Sequence, residues 1–256
     1  MTTNGDSDAL RAEGIVKRFG ALTALDGVDL HVRKGEVLGL IGDNGAGKST
    51  LIKIITGFHR PDAGRLVIEG DEVNLRSVSQ ARALGIQTVF QDLALVPELS
   101  VYHNMFLNSE PVLKPLPLLN NKKMKEMTRR YLDDIGVRIR SIDAEVGRLS
   151  GGQRQAIAVA RSVYSDAKIL LLDEPLAVMG AKEGAMILDL VQRLKGEGKL
   201  SIILIAHNYS QVFEVCDRVN LLQHGKISYD KPTSESSVEE LTDLVVSEYR
   251  KARSSA

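Results

Sequence analysis

The sequence predicts an α/β fold with a parallel sheet, an antiparallel β layer beside it and an inserted helical region. Three short apolar runs predict the parallel sheet, at residues 36–42 (EVLGLIG), 168–173 (KILLLD) and 200–207 (LSIILIAH). Continuous apolar runs of this length are typical of strands that are covered on both faces. A polar or glycine-rich segment follows each run, and open α/β sheets bind ligands beyond the carboxyl ends of their strands. We therefore expect these three segments to meet at one crevice.

The remaining segments complete the predicted organisation. Residues 1–9 are polar and acidic and are predicted to be a disordered lead-in to a body that covers residues 10–228. Alternating apolar residues between positions 10 and 40, and again in GRLVIEGDEV, predict the antiparallel layer. Helical spacing predicts a helical subdomain over about residues 92–165, in which EPVLKPLPLL is a connector broken by proline. The tail, residues 229–256, is predicted to contain a helix that starts with a capping box of Ser237 and Glu240.

Composition restricts the function. The 256 residues suffice for one large α/β domain, and 33 basic against 33 acidic residues give a formal net charge of zero. No overall field therefore attracts nucleic acid or an acidic membrane, and the basic stretch KKMKEMTRR is interpreted as a solvated helix face. The single cysteine, Cys216, excludes an internal disulfide. The apolar runs are far shorter than the roughly 20 residues that span a bilayer, so work at a membrane requires another chain.

The stretch GDNGAGKST, residues 42–50, matches the phosphate-binding pattern G-x-x-x-x-G-K-[ST] between a predicted strand and a predicted helix. Its glycines allow a tight turn, so that backbone amides face phosphate oxygens at the start of the helix. The pattern predicts that Lys48 contacts the β and γ phosphates and that Ser49 is a ligand of Mg²⁺. We therefore expect a P-loop NTPase (RecA-like) core that binds nucleotide through Gly42, Asn44, Gly45, Ala46, Gly47, Lys48, Ser49 and Thr50.

Two carboxylates follow the second apolar run. Asp173 ends the predicted strand and is predicted to hold the Mg²⁺ water shell beside Ser49. Glu174 projects one residue further, where a carboxylate beside the metal can act as general base toward water. The simpler alternative is an acidic turn closed by Pro175.

A second glycine-rich segment, LSGGQRQ at residues 149–155, is predicted to start a helix and so to form a second anion site. One nucleotide does not need two such sites from one chain. With GDNGAGKST, ILLLDEP and a lone histidine in this order, residues 10–228 resemble the ATPase subunit of ATP-binding cassette (ABC) transporters.

The resemblance implies roles for residues that would not indicate a function by themselves. Ser150, Gly151, Gly152 and Gln153 would contact the nucleotide held by the other subunit of a head-to-tail homodimer. Phe19 would stack on adenine, Gln91 would contact the metal and the attacking water, and His207 would contact the γ phosphate. The implied catalytic set is Glu174, His207, Gln91 and Lys48, the implied metal ligands are Ser49, Gln91 and Asp173, and the cofactors are ATP and Mg²⁺.

The resemblance also implies partners and a location. The chain is most similar to single-cassette ATPases of bacterial importers of simple sugars of the ribose, xylose and fructose type. The expected partners are transmembrane permease subunits and, indirectly, an extracytoplasmic sugar-binding protein, with the chain peripheral on the cytoplasmic face of the inner membrane. Other classes remain open: a cassette for an amino acid, lipid or drug, a soluble ATPase acting on nucleic acid or ribosomes, and a degenerate cassette that only regulates.

One segment departs from the family pattern. In DEPLAVMGAKEG, Leu176 stands where Thr is usual, and a glycine, Gly180, stands where the loop usually carries an Asp that reaches across the dimer. The departure leaves Asp173 and Glu174 in place. We therefore predict an active ATPase with altered communication between its two sites.

Overall fold

The computed structural model describes residues 8–177 and 179–254. The strands are β1 Asp8–Phe19, β2 Leu22–Arg33, β3 Val37–Ile41, β4 Ala63–Ile68, β5 Asp71–Val73, β6 Ile86–Val89, β7 Val112–Leu113, β8 Leu118–Leu119, β9 Ile169–Asp173, β10 Ser201–Ile205, β11 Arg218–Gln223 and β12 Lys226–Pro232. The α-helices are α1 Lys48–Ile55, α2 Val78–Ala83, α3 Val101–Met105, α4 Asn121–Asp134, α5 Gly151–Val163, α6 Ala181–Glu197, α7 Tyr209–Val215 and α8 Val238–Ser254.

A six-stranded sheet in the order β12-β11-β3-β10-β9-β6 forms the centre of the molecule. Its inner strands pair in parallel, and only the edge strand β12 runs antiparallel, against β11. The three apolar runs are β3, β9 and β10, as predicted. Because the strands are parallel, the segments that follow β3, β6, β9, β10 and β11 lie at one edge of the sheet, where the sequence predicted the ligand crevice.

The central sheet separates two hydrophobic cores. On β3, Leu38 and Leu40 face the core shared with α1 and the antiparallel layer. Val37 and Ile41 face the opposite core, which includes α3 to α7. All four side chains are fully buried, which explains why β3 is an unbroken apolar run and does not alternate.

The antiparallel layer is a second sheet with the strand order β2-β1-β4-β5. It confirms the predicted β layer, with one correction at its start. Strand β1 begins at Asp8, which pairs with Arg33, so Asp8 and Ala9 belong to the sheet and not to a lead-in. Residues 1–7 of the predicted lead-in lie outside the described residues.

Between β6 and β9 lie α3, α4 and α5, as the helical spacing predicted. The connector that prolines were expected to break carries a two-stranded hairpin, β7 and β8, which the sequence did not predict. Helix α5 packs against the core through Ala156 and Ala160, which are fully buried, while Val163 is half-buried.

The end of the body requires a second correction. Strand β12 runs from Lys226 to Pro232 and pairs along its length with β11, so the boundary placed after residue 228 cuts a strand. Helix α8 follows, with Leu241 fully buried in the core that α7 lines. The Ser237 hydroxyl accepts from the backbone NH of Glu240, but the Glu240 carboxylate binds Lys231 instead of closing a capping box. None of the helices in the described ranges is both long enough and apolar enough to cross a membrane.

Candidate functional site

The segment between β3 and α1 forms a glycine-rich loop at the carboxyl edge of the sheet. Gly42, Gly45 and Gly47 adopt φ values of 149°, 82° and 110°, a region that favours glycine. A Cβ at Gly42 would collide with the carbonyl oxygen of Leu222, and one at Gly47 would lie 2.6 Å from that of Ala24. Gly47 is the N-cap of α1 and offers no side-chain cap. The first amides of α1 are therefore available to an anion, as the pattern predicted.

Lys48 lies inside this loop. Its Nζ donates to the carbonyl oxygens of Gly42 at 2.5 Å and Asp43 at 3.0 Å, and the residue is only 6% exposed. Burial lowers the pKa of Lys48, against the opposing effect of Glu174, Asp43 and Asp173. A phosphate in the loop would offer the ammonium group an anionic partner in place of neutral carbonyl groups.

The loop opens into a cavity of about 470 Å³, which we call the nucleotide cavity. Phe19, at the end of β1, lines this cavity with its ring 43% exposed. The ring of His59 packs edge-on against Phe19 at 5.4 Å between centroids. An exposed aromatic face beside a phosphate loop is suited to stacking on a base. The predicted residues that line the nucleotide cavity are Phe19, Asn44, Gly45, Gly47, Lys48, Ser49, Thr50 and Glu174.

Asp173 is the last residue of β9 and pairs with Ile205, the last residue of the neighbouring strand β10. Burial raises the pKa of Asp173, and the neighbouring Glu174 raises it further, while Lys48 lowers it. The charge of Asp173 in turn opposes the lowering of the Lys48 pKa. A carboxylate that burial destabilises in its charged form gains from a cation beside it.

Glu174 and His207 are brought together from the ends of adjacent strands. The Glu174 Oε1 lies 2.6 Å from the His207 Nε2. The backbone of Glu174 is left-handed, with φ of 51°, and its NH donates to the carbonyl of Ile205 at 3.1 Å. A non-glycine residue in this conformation costs about 1 to 3 kcal/mol, and such strain clusters at functional sites. The carboxylate thus lines the nucleotide cavity on one side and, on the other, a 290 Å³ cavity that His207 also lines, here called the histidine cavity.

Gln91 is not on the nucleotide cavity. It follows β6, is exposed, and lines a separate cavity of about 490 Å³, here called the glutamine cavity. Gly151 and Arg154 of α5 line the same cavity. In this structure Gln91 therefore lies beside the second glycine-rich segment and away from Lys48.

The segment LSGGQRQ starts α5 with a complete capping box. The Ser150 hydroxyl accepts from the backbone NH of Gln153 at 3.3 Å, and the Gln153 side chain accepts from the backbone NH of Ser150 at 3.2 Å. Gly152 packs against α6, where a Cβ would approach Glu183 and Met186 at 3.0 Å. Residues 150–153 are absent from the lining of the nucleotide cavity.

The loop 175–180 connects the other parts of the site. Ala177 and Met179 line both the histidine cavity and the glutamine cavity, while Val178 lies outside the described residues. Gly180 is the N-cap of α6, with φ of −69° and no side-chain cap. A Cβ there would meet no atom within 4 Å. The glycine is therefore not required by the backbone or by packing.

Several residues at the site carried too weak a sequence signal to be predicted, among them His224 and Arg161. His224 lines the nucleotide cavity from the β11–β12 turn, and its only signal was its place after an apolar strand. Arg161 of α5 donates to the carbonyl oxygens of Leu93 at 3.0 Å and Ala94 at 2.9 Å, just after Gln91. An arginine within the apolar stretch AIAVARSVY was the available signal for this link between α5 and the Gln91 loop.

The oxygen ligands at this site suit a magnesium ion better than a metal that several protein side chains must enclose. Ser49 lines the nucleotide cavity, and Asp173 ends β9 directly before Glu174, which lines the same cavity. Within residues 8–177 and 179–254, no cluster of three or more His, Cys, Asp or Glu side chains forms a metal cage. Magnesium binds oxygen atoms and usually keeps several waters, so two protein ligands suit it.

Comparison with known proteins identifies the family. Residues 25–177 match the protein family described as ABC transporter. The chain belongs to the ABC transporter family. As an ABC cassette it is a nucleotide-binding ATPase coupled to transport.

The relatives of this ABC cassette agree with that result over nearly the whole chain. It is 50% identical, over 94% of its length and 95% of the relative's, to the xylose/arabinose import ATP-binding protein XylG of Sulfolobus acidocaldarius. It is 44% identical to the fructose import ATP-binding protein FrcA of Rhizobium meliloti, over 85% of each chain. Among solved structures, the ADP conformation of an ATP-binding cassette of an ABC transporter superposes with a TM-score of 0.79 at 29% identity, covering 93% of this chain and 95% of that one. This likeness confirms the predicted α/β nucleotide-binding core.

Proposed function

We propose that this cassette hydrolyses MgATP between two copies of itself and thereby drives the import of a simple sugar through partner permease subunits. The observation that carries the hydrolytic part is the 2.6 Å contact between Glu174 and His207 at the rim of the nucleotide cavity. The sugar class rests on the relatives, which are named for xylose/arabinose and fructose import. The chain would act at the cytoplasmic face of the membrane, held there by the permease.

Within one subunit, the phosphate loop would bind and orient the nucleotide. Amides at the start of α1 and the Lys48 ammonium group would hold the β and γ phosphates, and Phe19 would stack on the adenine. Ser49 and Asp173, with Gln91 after closure, would hold Mg²⁺, which supplies charge neutralisation at the phosphates. Burial of Lys48 strengthens its attraction for phosphate because little water screens it.

Proton transfer would be the task of Glu174. Its carboxylate would accept the proton of the attacking water while His207 holds Oε1 through Nε2. A fixed carboxylate needs less reorganisation during the reaction than a free one. Gln91, which lies in the glutamine cavity of this structure, would reach the water only when the helical region moves toward the nucleotide.

The second subunit would supply the other half of the site. The side chains of Ser150 and Gln153 satisfy their own helix start, and residues 150–153 do not line the nucleotide cavity of their own chain. The Ser150 hydroxyl accepts one hydrogen bond, so its proton remains available to a phosphate oxygen. A head-to-tail dimer would use this arrangement by presenting α5 of each subunit to the nucleotide of the other.

The decisive experiment separates nucleotide binding from turnover. Glu174→Gln should preserve ATP binding, abolish multiple and single turnover, and accumulate an ATP-dependent dimer visible by size-exclusion chromatography. Glu239→Gln, at an exposed position of α8, is the matched control and should keep wild-type turnover. Undiminished hydrolysis by Glu174→Gln would remove Glu174 from the role of base. Hydrolysis missing from the wild type as well, even in single turnover with the permease present, would indicate a regulatory cassette.

The cargo needs a separate assay. Uptake of labelled xylose, arabinose, fructose and ribose in a strain that lacks this chain should be restored for one of them by the wild type and not by Glu174→Gln. Restoration of no sugar uptake would contradict the proposed cargo class while leaving the ATPase assignment intact.

A further inference from the structure

The hairpin of β7 and β8 exposes an apolar surface that the nucleotide site does not use. Its large apolar side chains, each 46 to 59% exposed, are Val112, Leu113, Leu116, Leu118 and Leu119. Neighbouring residues of a strand point to opposite faces, so Val112 with Leu113, and Leu118 with Leu119, make both faces of the ribbon apolar. Isolated exposed apolar residues are ordinary, whereas a contiguous group marks an interaction surface.

Unpaired lysines flank this ribbon. Lys114 lies in the hairpin, and Lys122 and Lys123 lie in the first turn of α4, directly after β8. All three are exposed, and none has an ion pair within the part of the chain that the structure describes. The first turn of α4 contains no acidic residue, although a helix start favours negative charge. The lysines therefore do not stabilise α4, and their charge is free for a partner.

The chemistry of this surface favours a lipid bilayer over a protein. Protein interfaces are depleted in lysine, whereas apolar side chains flanked by lysines suit the surface of an anionic membrane, and segment 110–123 has four leucine residues and three lysine residues. A protein groove would cover one face of the ribbon, whereas the interfacial layer of a membrane surrounds both. Pro111, Pro115 and Pro117 remove backbone donors that would otherwise lack partners in an apolar layer.

We propose that this hairpin inserts its apolar side chains into the interfacial layer of a membrane rich in anionic phospholipid, with Lys114, Lys122 and Lys123 bound to the headgroup phosphates. Strands of two residues are far too short to span a bilayer, so the contact is peripheral. The acidic residues nearby do not cancel the charge. Residues 110–123 contain three lysines against one acidic residue, Glu110, so the net charge of this segment is positive. This inference relies on the proposed function only for the assumption that the chain works close to a membrane.

The test is flotation of the purified full-length chain with vesicles. Vesicles of equimolar phosphatidylcholine and phosphatidylglycerol should carry the wild type, vesicles of phosphatidylcholine alone should carry much less, and added salt should weaken the binding. Lys122→Glu with Lys123→Glu, and separately Leu116→Ser with Leu118→Ser, should each lower the partition coefficient by at least about tenfold. Leu84→Ser with Lys199→Glu, at exposed positions that precede β6 and β10, is the matched control and should bind as the wild type does.

The proposal would be overturned if the wild type does not bind anionic vesicles, or if the hairpin variants bind them as well as the control does. If the wild type does not bind vesicles and the hairpin variants no longer co-purify with the permease, the surface is a protein interface instead. Basal ATPase, measured on the same samples, should be equal in all variants. Hairpin-dependent flotation without any ATPase would leave this inference standing while the proposed function fails.

Discussion

Replacing Gly180 with Asp tests whether the loop 175–180 affects stability or communication between sites. The position is the uncapped N-terminus of α6, a helix of 17 residues, and a side chain there meets no atom within 4 Å. An Asp cap improves on Gly by a few tenths of a kcal/mol, its charge at the helix start adds about 0.3–1, and loss of glycine freedom in the unfolded chain adds about 0.4–1. We expect the free energy of unfolding to rise by about 1–2 kcal/mol, which raises Tm by about 2–8 °C.

Gly180→Asn is the matched control, because Asn caps as well as Asp but carries no charge. Both variants should be stabilised in thermal unfolding of the nucleotide-free protein. Only Asp adds a carboxylate that can reach the partner's phosphate loop in the proposed dimer. We therefore expect Asp alone to change the Hill coefficient of ATP hydrolysis, with little change in the basal rate per site.

Two results would refute this reasoning at different steps. A lower Tm in both variants would mean that Gly180 is held by contacts absent from the structure. Identical kinetics of the Asp and Asn variants, both equal to the wild type, would show that the missing carboxylate is neutral for communication.

Three further predictions concern single contacts. Arg161→Met removes two charge-assisted hydrogen bonds, each worth about 1.5–3 kcal/mol. Urea unfolding should therefore show a free energy of unfolding lower by about 3 kcal/mol, and hydrogen exchange of residues 91–97 should accelerate. Arg154→Met is the control and should change neither measurement. Asp173→Asn should stabilise the nucleotide-free fold at neutral pH. The pKa of Asp173 is raised in the folded protein, so its ionised carboxylate destabilises the fold at any pH above that pKa. This penalty disappears as the pH falls toward the pKa of an unfolded Asp, about 3.9. An unchanged pH profile of stability in that variant would contradict this sign. Phe19→Ala should raise KM for ATP more than it lowers kcat, because the ring is exposed to the cavity and touches no reacting group; a larger effect on kcat would reject simple stacking.

Three inner strands of the central sheet were predictable because each is covered on both faces. Such coverage requires an unbroken apolar run, and β3, β9 and β10 show it directly. The ends of the body were predicted less well, because β1 starts with Asp8, and β12, at the sheet edge, contains Lys226, Asp230 and Lys231. Edge strands keep charged residues toward solvent, so their sequences resemble loops.

At the site, local motifs were predictable and long-range contacts were not. The turn of the phosphate loop follows from glycines that are close in sequence. The contact of Glu174 with His207 joins residues 33 positions apart, and that of Arg161 with Ala94 joins residues 67 apart. No sequence pattern sets those distances, because they depend on how the sheet orders its strands and how α5 packs.

The division of the site among three cavities bears on how ATP hydrolysis is transmitted. Glu174 lines the nucleotide and histidine cavities, while Ala177 and Met179 line the histidine and glutamine cavities. The loop 175–180 therefore borders the histidine and glutamine cavities and directly follows Glu174, which lines the nucleotide cavity. A loop in that position can alter how the compartments move together without altering the chemistry, since neither Lys48 nor Asp173 depends on a charge at Gly180. This arrangement explains how an ABC cassette that keeps the proposed hydrolytic residues can carry a glycine at this position.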